Sequence, residues 1–213
     1  MGANAMPLYQ PPVNIRTLTY TAPGTVIHYP QVSGLANRQA EERINHAIIL
    51  QIQDMQRTQQ HMQTGTNPNT TGNFEIKTNE RGILSLMLSN YTYSTPMAHG
   101  YTVAKGLTFN TTTGAAYSLS DLFKPASNYQ ALLTAEVNAQ IKKRNLPVLE
   151  GTTVSVQPNQ DFYLADKSLV IFYPLYAITP YYVGFPMFPV SVYDLQDIAT
   201  EDGPITVLAA DIA

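Results

Sequence analysis

Between about Leu35 and Met62 the apolar residues Ile44, Ile48, Ile52, Met55 and Met62 recur at helical spacing, while Glu41, Glu42, Arg43 and Arg57 mark a polar face. A helix with one apolar stripe has to bury it, and the flanking segments say against what. Upstream, Thr17 to Tyr29 carries Leu18, Tyr20, Val26, Ile27 and Tyr29 around a Pro23-Gly24 turn, the pattern of two short strands. Downstream, Phe74 to Lys77 and Ile83 to Tyr91 alternate with period two around a turn at Asn79 to Gly82, which predicts a hairpin with one covered face. Helix on sheet is therefore the first constraint. Between helix and hairpin, Thr64 to Asn73 has the Asn, Thr, Gly and Pro content of a loop.

The second half repeats the alternation in a looser form. Tyr101 to Asn110 reads as a strand, Thr111 to Gly114 as a turn and Ala115 to Ser118 as the returning strand. Ser120 is placed to N-cap a single helical turn over Asp121 to Phe123, closed by Pro125. Ser127 and Gln130 have capping-box spacing, and Tyr129, Leu133, Val137 and Ile141 follow at four-residue steps, so a second helix is expected as far as Asn145. Thr153 to Val156, Phe162 to Leu164, Leu169 to Tyr173, Phe188 to Tyr193 and Thr206 to Leu208 complete the strand-like segments. This order predicts an α+β fold: a mostly antiparallel sheet with one long helix from the N-terminal half and one from the second half packed on it. The organisation expected is an extended lead over 1–16, an N-terminal α+β subdomain over 17–105 and a C-terminal one over 106–213.

Composition removes several functional classes. With 12 Lys and Arg against 15 Asp and Glu, spread thinly over 213 residues, no basic stripe exists to neutralise phosphates, so no nucleic-acid partner is expected. Cysteine is absent, which excludes disulfides, zinc-thiolate sites and thiol nucleophiles. No segment approaches the roughly 20 apolar residues that cross a bilayer, and Met1 to Pro12 has neither a basic region nor an apolar stretch of signal-peptide length. The chain as given reads as soluble, without a transmembrane segment.

No catalytic set assembles by motif. The sequence contains no Gly-x-Ser-x-Gly elbow, no His-Glu-x-x-His helix, no phosphate-cradling Gly-x-x-x-x-Gly-Lys and no calcium-loop spacing. Asp161 and Asp166 bracket a strand and its turn, and a catalytic pair there would need a geometry that spacing does not supply. A metal site would need three of His28, His46, His61 and His99 to converge, and none is predicted; no cofactor is implied. His99, between Ala98 and Gly100, is the notable lone titratable group, because small neighbours let a backbone or ligand come close. It is either a hydrogen-bonded structural histidine at a strand start or a contact residue. Tyr176 to Phe188 gathers Tyr176, Tyr181, Tyr182, Phe185 and Phe188 around Pro180, Gly184 and Pro186. Aromatics on a stiff turn either cap a sheet from within or project as binding anchors.

Taken in order, a set of motifs resembles a known family. In the second half these are Gly106 to Asn110, Thr113-Gly114, Leu119 to Phe123, Asp161 to Leu164, Leu169 to Pro174, Tyr176 to Gly184 and Phe188 to Val190. Tyr29-Pro30 with Val32, Asn45, Gly82 to Leu86 and Ala98 to Gly100 extend the set through the first half. The chain from about Leu18 to Leu195 resembles the extracytoplasmic domain shared by RsiV-type anti-sigma factors and PdaC-type peptidoglycan deacetylases. The resemblance implies an α+β module outside the membrane of a bacterium, usually Gram-positive. In RsiV-type proteins the module recognises lysozyme, which leads to proteolysis of the anti-sigma factor. In PdaC-type proteins it precedes the deacetylase domain and is not catalytic. This chain has neither a sigma-binding segment with a transmembrane helix nor a deacetylase domain.

The function expected is thus a non-catalytic binding or sensor module of the cell envelope, with a cytoplasmic location as the alternative. Tyr176, Pro180, Tyr181 and Tyr182, with His99, are the candidate contact residues, in the place where the family presents its ligand-facing loop. A lysozyme-like hydrolase is the candidate partner. Two other functions stand beside it: a peptidoglycan- or carbohydrate-binding module, and an uncharacterised cell-wall hydrolase. An exposed convex tyrosine loop would favour the protein partner, a groove floored by aromatics the carbohydrate, and a cleft joining two carboxylates, or His99 and Asp161, the hydrolase.

Overall fold

The computed structural model describes residues 11–210 and has an α+β architecture with two sheets. The first contains β1 (Asn14–Ala22), β2 (Thr25–Ser33), β3 (Thr66–Glu80), β4 (Ile83–Thr95) and β5 (Tyr101–Asn110), neighbours in that order. Its pairs are antiparallel except β2 with β3, which run parallel from Thr25↔Thr70 to Ile27↔Gly72. The exception follows from connectivity: helix α1 (Arg38–Met62) links these two strands, and a helical crossover returns the chain in its starting direction. Asn37 caps the helix, accepting from the Gln39 and Ala40 amides. About two turns further on, the Asn45 side chain takes both backbone groups of Val32, at 2.8 and 2.9 Å, and fixes the helix to β2.

The inward stripe of α1 runs Ala40, Ile44, Ile48, Ile52, Met55 and then Gln59. Met62, expected on this stripe, is 45% exposed, and two amides end the stripe instead. Gln59 Nε2 donates to the Asn90 carbonyl at 2.6 Å, and Gln63 bonds both the His99 carbonyl and the Ser94 amide. Below the helix, Leu84, Leu86 and Leu88 of β4 share its core, while Met87 on the other face packs with Tyr163, Val170 and Phe172 of the second sheet. β4 is thus covered on both sides, which is why it reads as a nearly unbroken apolar run.

The loop expected over Thr64 to Asn73 is mostly strand, because β3 begins at Thr66. Pairing with β2 on one side and β4 on the other overrides turn-like composition. Asn67 (φ 51°) and a register shift between Thr66 and Asn69 absorb the Asn-Pro step.

The second sheet orders β6 (Phe162–Ala165), β7 (Ser168–Phe172) and β8 (Met187–Ser191), all antiparallel. Helix α2 (Tyr129–Arg144) lies against β8, and Leu133 and Val137 enter a core with Leu122, Leu164, Ile171 and Phe188. Each sheet therefore carries its own helix. β5 runs unbroken to Asn110, so 106–110 belong to the first sheet, and the expected lead overlaps β1 from Asn14; residues 1–10 lie outside those described. The two sheets meet closely where Gly106 faces the Phe162 carbonyl, an approach that any Cβ would block.

Several local expectations change. Ala115 to Ser118 forms a single bridge, Phe109↔Ala116, rather than a strand. The helical turn over Leu119–Leu122 is capped by Ser118, which forms a capping box with Asp121; Ser120 is not the cap. Asn128 precedes α2 with no side-chain cap, and Gln130 reaches the Val156 carbonyl instead of closing a box with Ser127. Thr153 to Val156 has no ladder, since α2 side chains take up its backbone groups. β8 stops at Ser191 and a 3-10 turn follows. Thr206 to Leu208 lies within helix α3 (Pro204–Ala209), where Pro204 at the first turn outweighs the β-branched residues. The end of α3 is gripped by two turn cations. Arg81, between β3 and β4, donates to the Val207 and Ala210 carbonyls, and Lys167, between β6 and β7, to those of Leu208 and Ala210.

Candidate functional site

Two connections converge at one end of the first sheet. The β4–β5 connection carries His99, and its path is set by packing: Gly100 lies against the Tyr91 ring, leaving no room for a Cβ. From below, the Gln63 amide at the end of α1 holds the Ser94 amide at 2.9 Å and the His99 carbonyl at 3.1 Å. The second connection leads from β7 to β8. Its roots are buried at Leu175, Ile178 and Thr179, and the Leu149 amide donates to the Ile178 carbonyl. Tyr176 (φ 63°) is turned outward between these roots, and Pro180 opens a 3-10 turn over Tyr181–Val183.

The rings of His99, Tyr176 and Tyr181 form one cluster. His99 stacks on Tyr181 with centroids 4.5 Å apart, and Tyr176 lies 5.4 Å from Tyr181. Tyr181 donates its hydroxyl to the Gly100 carbonyl at 3.1 Å. The His99 tautomer follows from its partners. Nδ1 is 2.9 Å from the Gly100 carbonyl, which only accepts, so Nδ1 carries the proton. In the neutral ring Nε2 then accepts from the Tyr176 hydroxyl at 3.2 Å. Tyr101 lies nearby, its hydroxyl pushed above the ordinary tyrosine range by burial and, secondarily, by Tyr176. Tyr182 stands apart, 80% exposed at the tip of the turn.

The structure thus brings together His99, Tyr176 and Tyr181, with Pro180 and Tyr182 completing the projecting turn. Phe188, from the same segment, is fully buried and belongs to the core. Phe185 is half-buried against the cluster around Met87 and Phe172. His28 bonds Thr19 on the β1–β2 hairpin, and His46 and His61 are exposed on α1. Among the described residues no group of three or more His, Asp or Glu is arranged to hold a metal.

Asp161 and Asp166 flank β6 and line separate depressions. Asp161 instead meets Lys105 of β5 at 2.9 and 3.2 Å, an ion pair between the two sheets that spacing did not reveal. Burial pushes the Asp161 carboxyl above the ordinary aspartate range, and Lys105 opposes that rise without cancelling it. The pair lies in a cleft of about 400 Å³ beside the foot of the Tyr176 turn.

Residues 120–193 match the model of a family described as a protein of unknown function, DUF3298. No curated protein matches the chain. Among solved structures, a DUF3298 family member from Bacteroides fragilis is 12% identical with a TM-score of 0.71, covering 94% of this chain and 99% of its own. A DUF3298 family protein from Pseudomonas aeruginosa is 15% identical with a TM-score of 0.66, covering 93% and 97%. At these identities the likeness concerns the fold. The fold is therefore shared, over nearly its whole length, with solved DUF3298 proteins, and the stretch matching the family model contains the Tyr176 turn.

Proposed function

We propose that this chain is a non-catalytic binding module of the bacterial cell envelope that recognises a protein partner through the Tyr176 to Gly184 turn. The reading rests on one observation above all: Tyr182 is 80% exposed at the tip of a turn whose neighbouring rings are already immobilised. A large aromatic presented in this way gains contact area while little rotamer freedom remains to be lost on binding. A ring this exposed at the tip of a turn favours insertion into a partner over stacking of a sugar in a groove. The resemblance to RsiV-type domains supplies the candidate partner, a lysozyme-like hydrolase. Hydrolysis by this chain would call for one cleft shared by two carboxylates or by His99 and Asp161, and Asp161 and Asp166 line separate depressions. His99 is engaged by Tyr176 and Tyr181, whereas Asp161 is engaged by Lys105.

Calorimetry with lysozyme tests the reading. Tyr182→Ala is expected to weaken binding at least about tenfold, as loss of a central anchor does, with an unchanged melting transition. Unchanged affinity in that folded variant would remove the turn from the interface. Failure of the native chain to bind lysozyme would remove the named partner.

A further inference from the structure

We propose that the cleft containing the Lys105–Asp161 pair is a second binding site, for a neutral, hydroxyl-rich ligand of the carbohydrate class. The site does not depend on the role of Tyr182. At about 400 Å³ the cleft falls within the roughly 300–1,000 Å³ range of small-molecule pockets. It also lies where two units meet, with Lys105 from the first sheet and Asp161 at the entrance to the second.

Its lining defines the ligand. Lys105 and Asp161 are the charged groups present, and each already holds the other at 2.9 Å. A charged ligand would have to displace one of them, whereas a neutral ligand keeps the pair intact. The carboxylate is 15% exposed, and its hydrogen bonds come from a single ammonium. Its two oxygens have room for further donors, and burial raises the carboxyl despite Lys105, as expected for a carboxylate with too few donors. Ligand hydroxyls are donors of that kind. The Thr153 hydroxyl and the Asn159 amide face the same cleft and bond no other described residue. Pro174 and Ala177 add exposed apolar surface to the same lining. A pyranose matches this mixture, with hydroxyls at its edge and C–H groups on its faces.

The test is an NMR titration of the isotope-labelled chain with three probes: a cello-oligosaccharide, an N-acetylglucosamine oligomer and a cationic glucosamine oligomer. One or both neutral probes are expected to shift the amide signals of residues 152–161 and 177–178. Asp161→Asn should weaken that binding at least tenfold and Asn159→Ala several-fold. The Asn159 side chain is exposed and makes no hydrogen bond to another described residue, so its variant remains informative if the first is unstable. Tyr182→Ala should leave sugar binding unchanged, which separates this site from the proposed protein interface. No response to either neutral probe, equal response to the cationic one, or native affinity in both cleft variants would overturn the assignment.

Discussion

The two long helices solve the same problem by different means. α1 presents Ala40, Ile44, Ile48, Ile52 and Met55 to the first sheet, one buried side chain on each successive turn. α2 buries Leu133 and Val137, and hydrogen bonds hold much of the rest of its length. Thr134 accepts from the Val156 amide, Asn138 donates to the Val154 carbonyl, and Gln140 and Arg144 reach the Pro189 and Met187 carbonyls. α1 can pack by area because it faces long regular strands, whose own ladders satisfy their backbone. α2 faces the irregular chain over 153–156 and the edge strand β8, where carbonyls and amides lack ladder partners and polar side chains supply them. The difference therefore originates in the partner surface.

Substitutions can break or sharpen this contrast. Ile48→Ala, in the middle of the apolar stripe, should lower stability by about 3 kcal/mol through lost burial and a residual cavity. Urea unfolding measures the loss, and a value below about 1 kcal/mol would mean that α1 is not held by its stripe. Gln59→Ala removes the donor to the Asn90 carbonyl and is expected to destabilise by about 2 kcal/mol, showing where α1 adopts the polar mode of α2. Thr134→Val keeps the shape but leaves the Val156 amide without its acceptor. A loss of about 1 kcal/mol is expected, with faster hydrogen exchange at Val154 to Val156 as the local readout.

At the junction between the two units the effect depends on pH. Because the Asp161 carboxyl is raised in the folded state, the fold holds that proton more tightly than the unfolded chain does. Its contribution favours folding below the ordinary aspartate range and is lost as pH rises through the folded value. Asp161→Asn should therefore be more stable relative to the native chain at pH 7 than at pH 4, as read by paired thermal melts. Equal differences at both pH values would contradict the raised carboxyl. The smallest change is expected for Tyr182→Ala, within about 0.5 kcal/mol of native stability, because the side chain is mostly in solvent.

How legible each feature was depends on the range of the contact behind it. The α1 stripe could be read because four-residue spacing is local, and the Ile83 to Tyr91 strand because alternation is local. The exchange of Met62 for Gln59 could not, since Gln59 turns inward toward a carbonyl 31 residues away. β3 was hidden by its own Asn and Pro residues, its strand character coming from two neighbours rather than from propensity. Within the site, the aromatic turn was visible as composition, but the approach of His99 to Tyr176 spans 77 residues and that of Lys105 to Asp161 spans 56. No periodicity carries such information.

The grip on α3 sets an order of events during synthesis. The first sheet is complete by Asn110, yet Arg81 waits 126 residues for its acceptor at Val207. At ribosomal speed that interval is on the order of ten seconds. From Asn110 until residues 163–172 emerge, the face of β4 and β5 bearing Met87 and Ala104 has no cover, because Tyr163, Val170 and Phe172 are still missing. The nascent chain is therefore most exposed to misassociation with its polysomal neighbours in that window; residues 163–172 close it, and the grip on Val207 and Ala210 comes last.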